Sequence, residues 1–387
     1  MKEKKVTRGR VQPSLKFFNV AENRVQSDIW DELETGMWRS YLVDNRLRND
    51  AIGEVKQWEW KPEFPGFYAI NEGFRWNFVK NSLEEELYVP KVSDANMHTF
   101  LDAAFRFFQR FEHNRIGVHL SGGLDSGLII CLLRHFDIPF VPIGLSSLSR
   151  FEFRTERRIQ EILAAYGTNG RLIDFDDYPF YGNLDKKPKH QVPDSNIKMI
   201  DASMALAKEF ARSGCDVVFT GQGGDTLFVE AIQSISNFRG YNIGNEFTFP
   251  WEQDFVYGPL GMKLVSMYSD EEIIDQITSL RMGQREDPLK LWTRHFFKEL
   301  LPVELSDFCY SADFIGLSAE GLQLAKPMIK ELFEEAYEYL PIPLFSLEGT
   351  KKMMKADVLS FEYKTYTDFC TKVSIAVWLH SLFRKND

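Results

Sequence analysis

Apolar runs and glycine-rich turns follow one another closely in the middle of the chain. Ile116–Leu120 is a short apolar run that ends at Ser121-Gly122-Gly123, and the continuously apolar Gly127–Leu133 follows. Val217–Phe219 is a second run of this kind, and glycines again follow it. Each stretch predicts a strand, a loop and then a helix. We therefore expect an α/β fold, a parallel sheet with helices on both faces.

The flanking regions have different patterns. Phe64–Tyr88 predicts two strands around Asn71-Glu72-Gly73, so residues 1–92 are expected to form a small β-rich amino-terminal segment. Residues 93–387 would then form the main domain, with a helical carboxyl-terminal lobe. From Lys263 onward the pattern turns helical, and helices are predicted at Ser269–Arg281, Pro288–Leu301 and Lys326–Leu340, with one or two more within Lys351–Arg384. The aromatic residues of Phe100–Phe111 recur at helical spacing, which predicts a helix packed in the core. Phe238–Gly261 has no period and predicts long loops, which commonly select substrates.

The first glycine loop has the chemistry of a phosphate site. Gly122 and Gly123 let backbone N–H groups approach an anion, and the helix that follows directs its positive end there. Ser121 and Ser126 add hydroxyl donors. Asp125 fits beside phosphate oxygens only if a cation such as Mg²⁺ lies between them. No Walker motif occurs in the chain. A serine-glycine turn without a ligand is the alternative.

A second loop strengthens this interpretation. It carries Gly221, Gly223 and Gly224 and ends in Asp225. Parallel strands deliver their loops to the same sheet edge, where open α/β sheets bind ligands. Asp125 and Asp225 are therefore predicted to hold Mg²⁺ on the β- and γ-phosphates of ATP.

These two motifs, SGGLDS at Ser121–Ser126 and GQGGD at Gly221–Asp225, resemble the synthetase domain of the asparagine synthetase B family. That family includes β-lactam synthetases and lasso peptide cyclases, and it belongs to the ATP pyrophosphatase (PP-loop) group with its adenine nucleotide alpha hydrolase-like fold. The resemblance covers roughly Asp94 to Lys355. It extends to Val141–Leu145, a strand that lies against the adenine in relatives, and to Thr155-Glu156 at the start of a helix.

The resemblance implies an AMP-forming carbon–nitrogen ligase. ATP adenylates a carboxylate with release of pyrophosphate, and an amine attacks the acyl-adenylate to form an amide. The implied catalytic residues are Asp125, Asp225, Gln222 and Lys352, and the implied metal ligands are Asp125 and Asp225. The residues expected to bind ATP are Leu120, Ser121, Gly122, Gly123, Asp125, Ser126, Gly144, Gly223 and Gly224.

Three positions qualify this assignment. Asparagine synthetases usually have glutamate where this chain has Gln222, and an amide can orient a substrate but cannot act as a base. The family's glutamate after the second aspartate is Thr226 here. Lys352, within Gly349–Lys355, is the candidate for the lysine with which relatives steady the adenylate; a solvent-facing lysine is the alternative.

The amino-terminal segment bears on the source of the amine. Glutamine-dependent relatives use a cysteine exposed by loss of the initiator methionine, whereas this chain begins Met1-Lys2 and has cysteines only at 131, 215, 309 and 370. We expect residues 1–92 to be a remnant of that glutaminase domain, or simply a small β-rich cap. Free ammonia, or an amine supplied by a partner protein, is expected rather than glutamine.

Composition narrows the class of protein. The net charge of −10 disfavours nucleic acid as a partner, and the cysteines lack CxxC spacing, which favours a reducing compartment without disulfides. No signal peptide or spanning segment is found, so a cytoplasmic protein without a membrane partner is expected. His119, inside the first predicted strand, is expected to be a core residue with a hydrogen-bond partner.

Several functions remain open at this level. The carboxylate and the amine belong to a small molecule or to a peptide. A stand-alone asparagine synthetase of asparagine biosynthesis is one candidate, and a tailoring ligase for a peptide or natural product is the other. Gln222 and the reduced amino-terminal segment favour the second. A non-catalytic ATP-binding scaffold or sensor, and an adenylating enzyme acting on nucleic acid or in sulfur transfer, are alternatives from other classes.

Overall fold

A parallel sheet lies at the centre of the part of the chain that carries both loops. The structure is a computed structural model, and it describes residues 94–146, 153–165, 170–189, 195–229, 252–306, 314–339, 345–355, 357–358 and 363–384, with five short strands between residues 17 and 85. The sheet strands are β6 (Ile116–Leu120), β7 (Phe140–Ser146), β8 (Arg171–Asp174), β9 (Val217–Thr220) and β10 (Lys263–Ser266). Their order is β10-β9-β6-β7-β8, and all neighbours are parallel.

Helices cover both faces of this sheet, as the sequence predicts. Val118 and Phe219 are register partners, and the Phe219 ring packs against Phe107 and Phe108 of α1 (Met97–Gln109). The neighbouring residue Gly117 points to the opposite face, where α4 (Ile200–Arg212) contributes Phe210. The aromatic residues of α1 are therefore core residues, as their helical spacing predicts.

The remaining helices complete two compact units. The helices are α2 (Leu124–His135), α3 (Phe153–Ala165), α5 (Gly224–Phe228), α6 (Glu271–Arg281), α7 (Leu291–Phe296), α8 (Val303–Ser306), α9 (Phe314–Leu324), α10 (Lys326–Tyr339), α11 (Leu347–Lys355) and α12 (Tyr363–Phe383). One unit comprises residues 71–177 and 203–313 and contains the five-stranded sheet; the other comprises residues 1–70, 178–202 and 314–387. The proposed division of the chain at residue 92 stays a prediction.

The second unit contains the predicted carboxyl-terminal helices. Tyr339 of α10 stacks on Phe383 of α12 with ring centroids 4.1 Å apart. His380 of α12 contacts the Glu335 carboxylate through Nδ1 at 2.6 Å. The buried hydroxyl of Tyr181 donates to Cys370 Sγ at 2.9 Å. These contacts between aromatic and polar side chains hold a mainly helical lobe together.

Three predictions about individual elements need correction, and one helix was missed. Lys263–Ser266, expected within a helical region, is the edge strand β10. The helix predicted at Pro288–Leu301 spans only Leu291–Phe296, because Lys290 has left-handed backbone geometry at the helix start. Helix α9 was not predicted. The strands at Phe67–Ala69 and Phe74–Asn77 lie on either side of residues 71–73 as expected, but they pair with other strands instead of with each other.

The five strands of the amino-terminal region belong to two small antiparallel sheets. β1 (Phe17–Asn19) pairs with both β2 (Arg24–Gln26) and β3 (Phe67–Ala69), whereas β4 (Phe74–Asn77) pairs with β5 (Ser82–Glu85).

The loops predicted at residues 238–261 lie outside the described residues as far as residue 251. Among the described helices, none joins the length and the apolar character that crossing a bilayer would require.

Candidate nucleotide site

No side chain caps the start of α2, the helix that follows the first glycine loop. Gly122 adopts a left-handed conformation (φ 74°), which glycine allows without steric cost, and Gly123 occupies the cap position of α2 with no side-chain hydrogen bond. The first N–H groups of an α-helix have no partner within the helix. This twelve-residue helix therefore presents N–H donors and a positive dipole end at the loop.

Two serines brace the same loop. The hydroxyl oxygens of Ser121 and Ser126 lie 3.0 Å apart, and the Gly123 N–H donates to Ser121 Oγ at 3.3 Å. The Ser126 hydroxyl is also 3.4 Å from the Gly123 carbonyl oxygen, and Ser126 is 2% exposed. In this state the hydroxyls stabilise the turn. To donate to a phosphate they would have to exchange these partners.

The second loop packs directly on the first. A Cβ added at Gly224 would lie 2.4 Å from Asp125 Cγ, and one added at Gly221 would lie 2.8 Å from the Ser126 nitrogen. Gly223 has a left-handed backbone (φ 84°) that favours glycine. The Tyr268 hydroxyl donates to the Asp125 carbonyl oxygen at 2.7 Å. The two predicted motifs therefore meet at the carboxyl edge of the sheet, in contact that leaves no room for a side chain between them.

A lysine connects the two predicted metal ligands. Lys290 Nζ lies 2.7 and 2.6 Å from the two carboxylate oxygens of Asp125 and 2.6 Å from Asp225 Oδ1. Asp125 and Lys290 are mostly buried, with side-chain exposures of 16% and 13%, whereas Asp225 is 83% exposed. Both carboxylates thus converge on one position that holds a positive charge.

Burial and charge oppose each other in this cluster. Burial alone would lower the pKa of Lys290, but the Asp125 and Asp225 carboxylates together raise it above its ordinary value. Burial raises the pKa of Asp125, and Lys290 acts against that shift. The ammonium of Lys290 is therefore firmly protonated, and it offsets part of the cost of holding the Asp125 carboxylate in the interior.

Gln222 lies in the second loop with a fixed side chain. Its Nε2 donates to Glu252 Oε2 at 3.0 Å, and Glu252 Oε1 accepts a hydrogen bond of 2.7 Å from Ser203. Burial raises the pKa of Glu252, although both hydrogen bonds lower it. Glu252 directly precedes the single π-helical turn at Gln253–Tyr257.

Leu120 and Gly144 lie side by side in the sheet. They are register partners in β6 and β7, and a Cβ at position 144 would lie 2.5 Å from the Leu120 carbonyl oxygen. Strand proximity thus gives Gly144 a structural reason to be glycine. Its predicted contact with ATP stays a prediction.

Two further sequence predictions have different outcomes. His119 Nε2 lies 2.5 Å from the Tyr257 hydroxyl, and burial lowers its pKa to about 4, so it is a partnered core histidine as expected. Lys352 belongs to α11, in the unit that does not contain the two loops, and its side chain lies outside the described residues. Its catalytic role stays a prediction.

Sequence reasoning missed Lys290 and Glu252. Neither residue belongs to a motif, and each reaches the loops from a distant part of the chain. Asp287 accepts a hydrogen bond of 2.8 Å from the Trp292 N–H and fixes the turn before α7. An aspartate at this place in the sequence is a local signal of a structured loop around Lys290.

The two carboxylates at the loops suit a cation whose remaining ligands come from a bound nucleotide. Within the ranges that the structure describes, no group of three or more histidine, cysteine, aspartate or glutamate side chains is placed to hold a metal. Two carboxylates are a typical protein contribution to Mg²⁺ when nucleotide phosphates supply the remaining oxygens. Asp125 and Asp225 fit that role.

Comparison with known proteins agrees with the geometry. Residues 109–306 match the family model of asparagine synthase. No curated protein sequence matches the chain. Among solved structures, the chain is similar to the U34-tRNA thiolase NcsA from Methanococcus maripaludis, with 14% identity, a TM-score of 0.29, and coverage of 68% of this chain and 80% of that one. The family match spans β6 to β10 and both glycine loops, and it covers about half of the 387 residues; the chain therefore belongs to the asparagine synthase family of ATP-using enzymes.

Proposed function

We propose that the protein is an AMP-forming ligase. It adenylates a carboxylate with ATP, releases pyrophosphate, and lets an amine attack the acyl-adenylate to form an amide. The observation that carries this proposal is the convergence of Asp125 and Asp225 on one cationic position, next to the uncapped start of α2. That arrangement suits the leaving pyrophosphate, on which negative charge grows during the reaction.

Mg²⁺ and ATP are the cofactors that this site would take. Asp125 and Asp225 would hold the metal, and the N–H groups at the start of α2 would bind the β- and γ-phosphates. When bound, Mg²⁺ would neutralise charge on the departing pyrophosphate.

Lys290 is a second candidate, beside Lys352, for the lysine that steadies the adenylate. Its ammonium already lies beside both carboxylates, at the loops where the phosphates are expected to bind. A lysine acts on phosphates as a compact point charge, so a fixed fork geometry is not required. Gln222 contributes hydrogen bonds to the substrate and no base.

The substrates are a small-molecule or peptide carboxylate and an amine, delivered free or by a partner protein. Product analysis with ATP and Mg²⁺ tests the reaction, first with aspartate plus ammonium and then with a small-molecule cell extract. Asp125→Asn is the control. We expect AMP and pyrophosphate in equal amounts, and a loss of roughly a hundredfold or more in the variant.

A non-catalytic ATP sensor is the second candidate. The observation that favours it is the ion pair itself, because Lys290 occupies the position that a metal would need. A sensor would gain thermal stability with ATP, by about 2.7 kcal/mol at a hundredfold excess over Kd, and would leave ATP intact in every mixture. AMP formation that depends on Asp125 would exclude this candidate.

A further inference from the structure

Arg281, the last residue of α6, is a buried cation that no carboxylate contacts. It is 0% exposed, and within the ranges that the structure describes it forms no ion pair. Burial lowers the pKa of its guanidinium, and the Asp287 carboxylate acts against that shift. A buried charge without a counter-ion destabilises the folded state, so an apolar side chain would suit the position better. Stability alone therefore does not explain the arginine.

The guanidinium has one nitrogen bound and one edge free. Its Nη1 donates to the Leu227 carbonyl oxygen, near the end of α5. Nε and Nη2 are buried and have no hydrogen-bond partner among the residues that the structure describes. These two nitrogens form an edge from which two N–H groups point in parallel, and such an edge binds both oxygens of a carboxylate or a phosphate. The free edge therefore has the shape of an oxyanion site.

The surroundings of the guanidinium give this edge a fixed direction. The Trp292 ring faces it, with the ring centroid 5.9 Å from Cζ, and stacks on Phe296 at 4.9 Å. The Asp287 N–H donates to the Val229 carbonyl oxygen at 2.7 Å, which fastens the segment between α6 and α7 to the end of α5. The guanidinium is thus held between α5, which begins beside Asp225, and a segment that ends at Lys290.

The segment that follows Arg281 is loosely packed. Met282 and Leu289 are 42% and 49% exposed, and a Cβ added at Gly283 would meet no atom within 4 Å. The closed structure excludes solvent from the guanidinium, so a ligand requires this segment to move. Few buried contacts oppose that movement.

We propose that Arg281 binds an oxyanion, the carboxylate or phosphate group of a small ligand, through Nε and Nη2. The site lies at the carbonyl end of α5, whereas the glycine loops lie at its amino end. A free anion and a larger molecule that carries such a group share this chemistry. The inference does not depend on the proposed ligase activity, because it rests on the unpaired charge and its free edge.

Arg281→Met and Arg281→Lys are the informative variants. Methionine removes the buried charge together with the site. Lysine keeps the charge, but its ammonium cannot form two parallel hydrogen bonds to one oxyanion. Arg285→Met is the matched control, because it removes an arginine from an exposed position in the same segment.

Thermal unfolding at constant ionic strength measures binding without any turnover. Phosphate, pyrophosphate and acetate are tested separately, with chloride as the reference anion. We expect at least one oxyanion to raise the Tm of the wild type and of Arg285→Met, and to leave that of Arg281→Met unchanged. A response to acetate would identify a carboxylate ligand, and a response to phosphate or pyrophosphate a phosphoryl ligand. No response in the wild type would overturn the proposal, as would an equal response in Arg281→Met.

Arg281→Lys keeps the site testable if the methionine variant does not fold. We expect its Kd for the same oxyanion to be about tenfold or more above that of the wild type, because one of the two hydrogen bonds is lost. An unchanged Kd would contradict binding through the guanidinium edge.

The fluorescence of Trp292 locates the bound anion. Because the chain has eight tryptophans, the signal is taken as the difference between the wild type and Trp292→Phe. We expect the oxyanion to change this difference, and saturating ATP with Mg²⁺ to leave the change in place. A response that ATP abolishes, and that Arg281→Lys retains in full, would place the anion at the glycine loops and overturn the proposal.

Discussion

Lys290 combines an unfavourable backbone with three short polar contacts. Its φ of 52° lies in the left-handed region, which costs a residue with a Cβ about 1–2 kcal/mol. Leaving the buried Asp125 carboxylate without a counter-charge would cost about 3–5 kcal/mol. The second cost is the larger, so lysine at position 290 stabilises the folded protein despite its strained backbone. Strained residues of this kind are concentrated at functional sites.

Removal of the lysine should turn the two carboxylates into a metal site that no longer needs a nucleotide. We expect Lys290→Met to bind Mn²⁺ without ATP at least about tenfold more tightly than the wild type, because the competing positive charge is gone. Electron paramagnetic resonance of free Mn²⁺ gives the affinity directly. Lys298→Met removes an exposed lysine nearby and should behave like the wild type. Equal affinities for all three proteins would contradict the role given to Lys290.

The sequence predicts the residues of the site that lie in motifs and misses those that do not. Asp125 and Asp225 follow apolar runs and glycines, and this local pattern is sufficient to place them together. Lys290 and Glu252 reach the site only through the folded path of the chain, and no spacing rule connects them to a glycine loop. The interpretation of Lys352 rests on the family resemblance and on its place along the chain, and it stays a prediction.

At the level of elements, the segments with a clear local pattern were predicted and those without one were not. β6 and β9 are short apolar runs that lead into glycine loops, and α1 is periodic, whereas β10, as short as β9, lies beside an aperiodic stretch. Its strand character comes from pairing with β9, where Leu264 lies opposite Val218. Helix α7 is shorter than its periodicity suggests, because the left-handed Lys290 precedes it. Pairing partners and backbone reversals of this kind are tertiary effects that a local pattern does not contain.

The contact between the two loops gives a test at this scale. Gly224→Ala places a methyl group 2.4 Å from Asp125 Cγ, so the aspartate must move. We expect AMP formation to fall more than tenfold and the free energy of unfolding to fall by about 1–3 kcal/mol.

Gly261→Ala is the control for that variant. Gly261 has a left-handed backbone (φ 76°) and open space around it, so alanine should cost about 1–2 kcal/mol from strain alone. The two variants should therefore lose similar stability, and only Gly224→Ala should lose activity. Full activity in Gly224→Ala would show that the close contact of the loops is not needed.

For the molecule as a whole, the sequence predicts the fold class of the sheet and the helical nature of the carboxyl-terminal third. It does not predict that residues 178–202 join residues 314–387 in one unit, because contact between segments so far apart leaves no periodic signal. The family match, at residues 109–306, ends before α9.

Global stability should depend on pH through His119. Burial lowers its folded pKa to about 4, so the unfolded chain, with a pKa near 6.5, binds the proton more readily. The contribution of His119 to the free energy of unfolding should therefore be fully present above about pH 6.5 and be lost as the pH drops towards 4. At pH 5 the free energy of unfolding should be lower by about 2 kcal/mol. Urea unfolding of the wild type and His119→Gln at pH 5 and pH 7 measures this contribution.

The exposed His113 supplies the comparison for that experiment. Its side chain is 93% exposed, so His113→Gln should keep the pH dependence of the wild type. His119→Gln should flatten it between pH 7 and pH 5. A wild-type and a His119→Gln curve with the same slope would mean that His119 is not the group responsible.

The strained backbone of Lys290 also couples the evolution of positions 125 and 290, which are 165 residues apart. While Asp125 is present, lysine is the better residue at position 290 despite its backbone. Once Asp125 is lost, most of that benefit disappears and the strain remains, so glycine or asparagine becomes preferable. A descendant that had abandoned catalysis and drifted at position 125 would be expected to drift at position 290 as well. In a set of related sequences, the joint loss of the two residues would then mark lineages that no longer turn over ATP.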